Sequence, residues 1–102
     1  MQVALAASSS GDNTLIAAPG AGKYIVIDHI SLIPASAVTA TFKSGSTAIT
    51  GGYTLDTKQG FVIENSMHND DGVMTMNDNE AFVLNLGGAV AVNGMIRYRI
   101  RN

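Results

Sequence analysis

Apolar and polar residues alternate with a period of two along most of this chain, which is the pattern of β-strands with one buried face. The clearest case is the segment 38–51, which predicts a hairpin with Ser44-Gly45 as its two-residue loop. In that register Lys43 faces Ser46, and a slip of one residue would invert both faces of the hairpin. The face predicted to be buried carries Val38, Ala40, Phe42 and Ile49.

The longest apolar segment runs from Lys23 to Ile33 and ends at Pro34. It has large apolar side chains on both faces, which predicts a central strand of a sheet. Near the other end of the chain, Asn93-Gly94 predicts a tight turn before a final strand over residues 95–101. That strand is expected to turn one set of side chains inward, namely Ile96, Tyr98 and Ile100.

Residues 1–12 form either a first strand or an extended arm, because Val3, Leu5 and Ala7 alternate with smaller or polar residues. The strand partner of this segment can be another subunit. Residues 13–102 are predicted to form one domain. No stretch of helical length shows an apolar period of 3.6, and about eight short strands are separated by Gly-rich turns. The predicted fold is therefore an all-β antiparallel β-sandwich of jelly-roll type.

The composition predicts a protein whose surface is partly buried against further copies of itself or against another protein. Charged residues make up 14% of the chain, against about 25% in typical soluble domains, while 46% of its residues are apolar. With few charges to cover its surface, the chain is expected to form an oligomer or to dock on another surface. A net charge of −2 predicts no general attraction to nucleic acid or to anionic membranes.

The sequence contains no catalytic motif that survives inspection. The Gly-rich segment 19–24 lacks both the first Gly and the Ser or Thr after Lys that a phosphate-binding loop requires, so it predicts a β-turn. Asp28, His29 and Ser31 are the residue types of a hydrolase triad, but in an extended strand Asp28 projects opposite to His29. Cysteine is absent, which excludes disulfides and thiol nucleophiles. We therefore predict no enzymatic activity, no catalytic residue and no cofactor.

A cluster of oxygen-bearing side chains between residues 64 and 80 could in principle supply ligands for calcium. Its spacing does not match a twelve-residue calcium loop, and a solvated turn has the same composition, so no metal ligand is assigned. The residues concerned are Glu64, His68, Asn69, Asp70, Asp71, Asp78 and Glu80.

The last strand carries three like charges on the face opposite its apolar side chains, at Arg97, Arg99 and Arg101. A nucleic-acid patch is disfavoured, since the chain is acidic and no aromatic residues are interleaved with the arginines. Because an unpaired row of arginines repels itself, we expect acidic partners across a strand or a subunit interface. The candidate partners are Asp70, Asp71, Asp78 and Glu80.

Several stretches resemble small structural proteins of tailed bacteriophages. They are Ala-Thr-Phe-Lys-Ser-Gly-Ser-Thr-Ala-Ile-Thr-Gly at 40–51, Asn-Glu-Ala-Phe-Val-Leu-Asn-Leu at 79–86, Ala-Val-Ala-Val at 89–92, and the strand from Gly94 to Tyr98. They occur in the order found in those proteins, and the resemblance extends over about residues 22–100. The polar segment 65–71 departs from it. The family is that of the capsid decoration, or cement, proteins.

The resemblance implies a β-rich homotrimer on the capsid exterior, with the major capsid protein of a phage as its partner. Such a protein is made in the cytoplasm of a bacterial host and resides in the virion. The segment 2–10 would then lie against the capsid or a neighbouring protomer. The predicted interface residues are Gln2, Val3, Leu5, Arg97, Arg99 and Arg101.

Two other functions fit parts of the sequence. A module of a phage tail or fibre that binds a host glycan would need exposed aromatic residues, and the chain has no Trp and only three Tyr. An enzyme or a small-ligand barrel would need a concave pocket with convergent polar groups.

Overall fold

The computed structural model describes residues 1–64 and 72–102. These residues form two antiparallel β-sheets and no helix. The described ranges therefore contain no helix that could cross a membrane. The strands are β1 (Gln2–Ala7), β2 (Gly11–Ile16), β3 (Tyr24–Pro34), β4 (Val38–Ser44), β5 (Thr47–Ala48), β6 (Tyr53–Leu55), β7 (Phe61–Glu64), β8 (Met74–Thr75), β9 (Phe82–Leu86) and β10 (Val92–Arg101).

The strand order is that of a jelly roll. The first sheet runs β1-β10-β3-β7, with β8 also paired to β3, and the second runs β2-β9-β4-β5, with β6 also paired to β4. The chain crosses between the sheets at each of the steps from β1 to β4 and returns from β9 to β10. The predicted sandwich is confirmed. Ten strands replace the expected eight because the outer position of each sheet is shared by two short strands.

The hairpin at 38–51 forms, but its predicted register is wrong by two residues. Ser44 pairs with Thr47, which makes Gly45-Ser46 the loop. Gly45 adopts a φ of 58°, as the first loop position of a primed hairpin turn requires. Beyond two residue pairs the ladder is interrupted, and β4 continues its pairing with β6. Since a shift of two preserves the faces, the residues predicted to be inward remain inward.

Aromatic side chains join the two sheets at the centre of the core. The Phe42 ring of the second sheet stacks on Phe82 with ring centroids 5.5 Å apart, and it also faces Phe61 of the first sheet at 6.4 Å. Tyr53 packs against Phe61 from the second sheet at 4.7 Å. These offset and tilted contacts are the favourable geometries for aromatic pairs, so they hold the sheets face to face.

The central strand β3 is confirmed, and a bulge decides which of its apolar faces lies in the core. Arg97 pairs with His29 and Tyr98 pairs with Ile27, which leaves Asp28 as an extra residue. Ile27 and Ile30 are both fully buried in the core, so the two residues between them share the outer face. The prediction that Asp28 projects opposite to His29 is therefore wrong.

The Asn93-Gly94 dipeptide lies inside a strand and does not form the predicted turn. It belongs to β10, where Gly94 pairs with Leu32 on one side and with Leu5 on the other. A Cβ at Gly94 would overlap the Ser31 carbonyl and would stand 2.8 Å from the Leu32 Cα. Glycine is needed here for the close approach of two strands, which produces the same sequence signal as a turn.

The N-terminal segment is a strand of the protein's own sandwich. All six residues of β1 pair with β10, and the Leu5 side chain is 1% exposed within the core. The alternation predicted for this segment is confirmed by the burial of Leu5 and Ala7. The alternative of a detached arm is replaced by an edge strand whose packing is intramolecular.

Candidate interaction surface

The outer face of the first sheet combines an apolar half with a charged half. Strand registers place the side chains of this face in rows that run across β1, β10, β3 and β7. Two rows near one end contain mostly small or apolar residues, with Asn93 as the exception, whereas the next row is polar. The first two rows are Ala6, Asn93, Ile33 and Ala4, Met95, Ser31, Val62; the polar row is Gln2, Arg97, His29, Glu64.

We call the apolar half the apolar patch and define it by Ala4, Ala6, Ile33, Val62 and Met95. Ile33 is 55% exposed and Val62 is 61% exposed, and their proximity on one face is more informative than the exposure of either side chain alone. They flank a shallow depression of about 210 Å³. Ala4 and Ala6 belong to the segment 2–10 that was predicted to lie against a partner. Ile33 and Val62 were not predicted as part of a site, although large apolar side chains on both faces of the 23–33 segment were the signal for Ile33.

The charged half contains an ion pair that sequence reasoning missed. Arg99 donates from Nε to Asp28 Oδ2 at 2.8 Å and from Nη2 to Asp28 Oδ1 at 2.9 Å. Both side chains are partly exposed, so the pair contributes roughly 1 kcal/mol or less. Of the acidic partners predicted for this arginine, Asp70 and Asp71 lie outside the described residues. Asp28 reaches Arg99 because the bulge in β3 turns it onto the outer face beside β10.

Arg97 and Arg101 are exposed on the same face. Within the described parts of the chain, neither forms an ion pair. Gln2, also predicted as an interface residue, is exposed beside Arg97. By contrast, Val3 packs against the core and Leu5 lies within it, so Leu5 contacts its own chain and not the partner predicted for it.

The acidic residues after β8 bind the ends of neighbouring turns. Glu80 accepts a hydrogen bond from the buried Ser44 hydroxyl at 2.7 Å, and Asp78 accepts one from the Gly22 amide at 3.3 Å. Asp78 and Glu80 had been predicted to pair with arginines of β10, but neither carboxylate does so. His68, Asn69, Asp70 and Asp71 lie outside the described residues, and the remainder contains no group of three metal-ligating side chains.

The segment 19–24 forms the predicted turn. The Lys23 amide donates to the Gly20 carbonyl at 3.1 Å, and the Gly20 amide donates to the Asn79 side chain at 2.9 Å. The glycines thus give a tight reversal that is held by the loop between β8 and β9.

The outer face of the second sheet is polar and internally bonded. Asp12 on β2 accepts hydrogen bonds from Asn85 at 2.7 Å and from the Lys43 ammonium group at 3.0 Å. These contacts, with Asn85 contributing most, hold the pKa of Asp12 below its ordinary value of 3.8. This face therefore satisfies its own charges, in contrast to the outer face of the first sheet.

We expect Asp12→Asn to reduce the acid sensitivity of folding. Because the pKa is lower in the folded protein than in the unfolded chain, the carboxylate stabilises the fold above pH 3.8 and loses that contribution as pH falls through the folded value. Thermal melts between about pH 4 and pH 2 should show a smaller loss of Tm for the variant than for the wild type. Asp56→Asn, which removes an exposed carboxylate in a turn, is the control, and equal Tm losses in all three proteins would contradict the expectation.

A second depression, of about 340 Å³, opens between β4, β6 and the loop after β9. Its polar lining comes from Thr39, Thr54 and Asp56, and none of the aromatic side chains in the described part of the chain borders it. Because sugar sites usually stack a ring on an aromatic side chain, this depression does not favour glycan binding.

The chain matches no protein-family model, no curated protein and no solved structure.

Proposed function

We propose that this chain is a non-enzymatic phage structural protein: a homotrimeric decoration protein that binds the outer surface of the capsid and stabilises the head shell. The observation that carries the proposal is the outer face of the first sheet, which bears the exposed Ile33 and Val62 in its apolar half and the exposed Arg97 in its charged half. Exposed apolar side chains and arginines together on one face are the composition of a protein interface. The sequence resemblance to decoration proteins supplies the identity of the partner, the major capsid protein.

The mechanism follows from multivalency. A trimer presents three copies of the apolar patch at once, so contacts that are weak singly are retained together when they engage neighbouring coat subunits. Each bound trimer then links several subunits of the shell and opposes their separation under the internal pressure of packaged DNA. The arginines on the same face orient the protein by pairing with acidic groups of the coat.

The first test of this proposal is the solution mass. Light scattering over a dilution series should give three chains of 10.6 kDa that persist at low micromolar concentration. A persistent monomer would remove the trimer from the proposal.

We expect the double variant Ile33→Thr, Val62→Thr to weaken capsid binding by about tenfold or more, since it removes apolar contact area from the apolar patch. Threonine keeps the β-branched shape, and both positions are more than half exposed, so the fold should be retained. Binding is measured by co-sedimentation with capsids of the phage that encodes the chain.

The matched control is Thr14→Ser, Thr54→Ser, which changes two exposed residues of the second sheet. If the control and the patch variant bind capsids equally well, the apolar patch is not the attachment surface. If the wild type itself fails to co-sediment, the decoration function is wrong.

A further inference from the structure

The two sheets have four edges, and three of them carry features that discourage pairing with another strand. The β2 edge carries the charged Asp12 and a register shift near Leu15. The outer positions shared by β5 with β6, and by β7 with β8, are broken into strands of two to four residues. Charges, bulges and short strands are the means by which proteins protect sheet edges.

The β1 edge has none of these protections. Its six residues, Gln-Val-Ala-Leu-Ala-Ala, contain no charge and no proline, and they pair with β10 without a register shift. Gln2, Ala4 and Ala6 are exposed. Among the described residues, no strand pairs with the other side of β1. An uncharged, unbroken and solvent-exposed edge of this kind is a template for a further strand.

The direction of the backbone groups along β1 follows from the residue pair that immediately precedes this strand. Met1 and Tyr98 exchange two hydrogen bonds, each 2.8 Å long, between their amino or amide nitrogens and carbonyl oxygens. In an antiparallel ladder, hydrogen-bonded pairs alternate with pairs that are not bonded. Val3, Leu5 and Ala7 therefore direct their amide and carbonyl groups toward β10. The groups of Gln2, Ala4 and Ala6 point toward the free edge.

We propose that this edge binds the β1 edge of a second copy of the chain, antiparallel and across a two-fold axis at Ala4. Only residues with outward backbone groups can form hydrogen-bonded pairs, so Ala4 faces Ala4 of the partner subunit and Gln2 faces Ala6 of the partner subunit. Three such pairs exchange about six hydrogen bonds. The side chains next to the axis on the outer face are alanines, which allow the strands to approach without a clash.

The pairing brings two apolar patches into one continuous surface. Ala4 lies in the row that leads through Met95 to Val62, so a two-fold axis at Ala4 joins this row to its copy. The contact does not rest on the proposed capsid function. It is two-fold and so cannot itself build a trimer; in a decoration protein it joins two trimers side by side, and in a free chain it makes a dimer.

Cysteine substitution tests this register without interference, because the chain contains no cysteine. In the proposed pairing the two Ala4 Cα atoms are about 5.5 Å apart, which is within the range that a disulfide spans. We expect Ala4→Cys to form a covalent dimer under mild oxidation, as seen on a non-reducing gel. Gln2→Cys should stay uncrosslinked, because its two copies are about 14 Å apart. The double variant Gln2→Cys, Ala6→Cys should crosslink, because those positions face each other.

Equal crosslinking of Ala4→Cys and Gln2→Cys would show random collision and overturn the proposal, as would the absence of crosslinking in both Ala4→Cys and the double variant.

A second variant tests the contact without oxidation. Ala4→Pro removes the Ala4 amide, which points to the free edge. The pairing of β1 with β10 is therefore kept, while the second copy of the chain loses a hydrogen-bond donor for its own β1. Light scattering at high protein concentration should show that the mass falls by half, from two chains to one or from six to three. The Tm should stay near that of the wild type.

The outcomes separate this inference from the proposed function. A wild-type mass of two chains that is halved by proline supports the edge pairing and contradicts the trimer. A mass of three chains that proline leaves unchanged supports the trimer and overturns the pairing.

Discussion

Deletion of residues 1–7 is expected to abolish cooperative folding. The deletion removes β1, whose Leu5 is 1% exposed and whose Val3 and Ala7 pack on the core. It also leaves residues 92–98 of β10 without a ladder partner on that side. The loss of these contacts should approach the net stability of a domain of this size, about 5–15 kcal/mol. Circular dichroism should then show no cooperative thermal transition.

A single substitution gives the same expectation in graded form. Leu5→Ala removes most of a fully buried side chain and should lower the free energy of unfolding by about 3 kcal/mol, measured by urea denaturation. Ala4→Ser, on the exposed face of the same strand, is the control and should lie close to the wild type. A truncated protein that unfolds with wild-type cooperativity would show that β1 is a detachable arm, as the sequence alone had allowed.

Gly94→Ala is expected to lower the free energy of unfolding by about 3 kcal/mol, at the upper end of the usual cost of overpacking. The added methyl group would overlap the Ser31 carbonyl and stand 2.8 Å from the Leu32 Cα. Both obstacles are backbone atoms of the central strand, so they can give way only if β3 and β10 separate. A lower urea midpoint with an unchanged m-value is the expected result.

Gly88→Ala is the matched control for that experiment. A Cβ at Gly88 meets no atom within 4 Å, and its φ is not in the left-handed region. If both variants have the wild-type midpoint, the close approach of β10 to β3 at Gly94 does not limit stability. If only Gly94→Ala is destabilised, the turn-like signal at Asn93-Gly94 is explained by strand packing.

The two outer faces of the sandwich differ in how their polar and charged side chains are paired. On the second sheet, Asp12, Asn85 and Lys43 satisfy one another. On the first sheet, the exposed Ile33 and Val62 share a face with the exposed Arg97. Among the described residues, the first face is therefore the one on which we place the proposed docking. Its edge strand β1 contributes Ala4 and Ala6 to the apolar patch, so the proposed self-association and the proposed docking would use adjoining parts of one surface.

The sequence by itself determined the fold class and the inward face of most strands. A period of two specifies which side chains share a face, and Gly-rich breaks mark where strands end. For this reason the sandwich, the central strand and the inward residues of the final strand were predicted. The inward direction of Ile96 and Phe42 follows from alternation within their own strands, and both side chains are fully buried.

Only the tertiary structure decided which strands lie side by side and in what register. The bulge at Asp28, the pairing of that residue with Arg99 and the place of Gly94 opposite Leu32 all depend on contacts between segments far apart in the chain. Alternation along one strand is compatible with many partners, because it specifies a face and not a neighbour. The interaction surface is made from such neighbours, so it became visible only when β1, β10, β3 and β7 were set in one sheet.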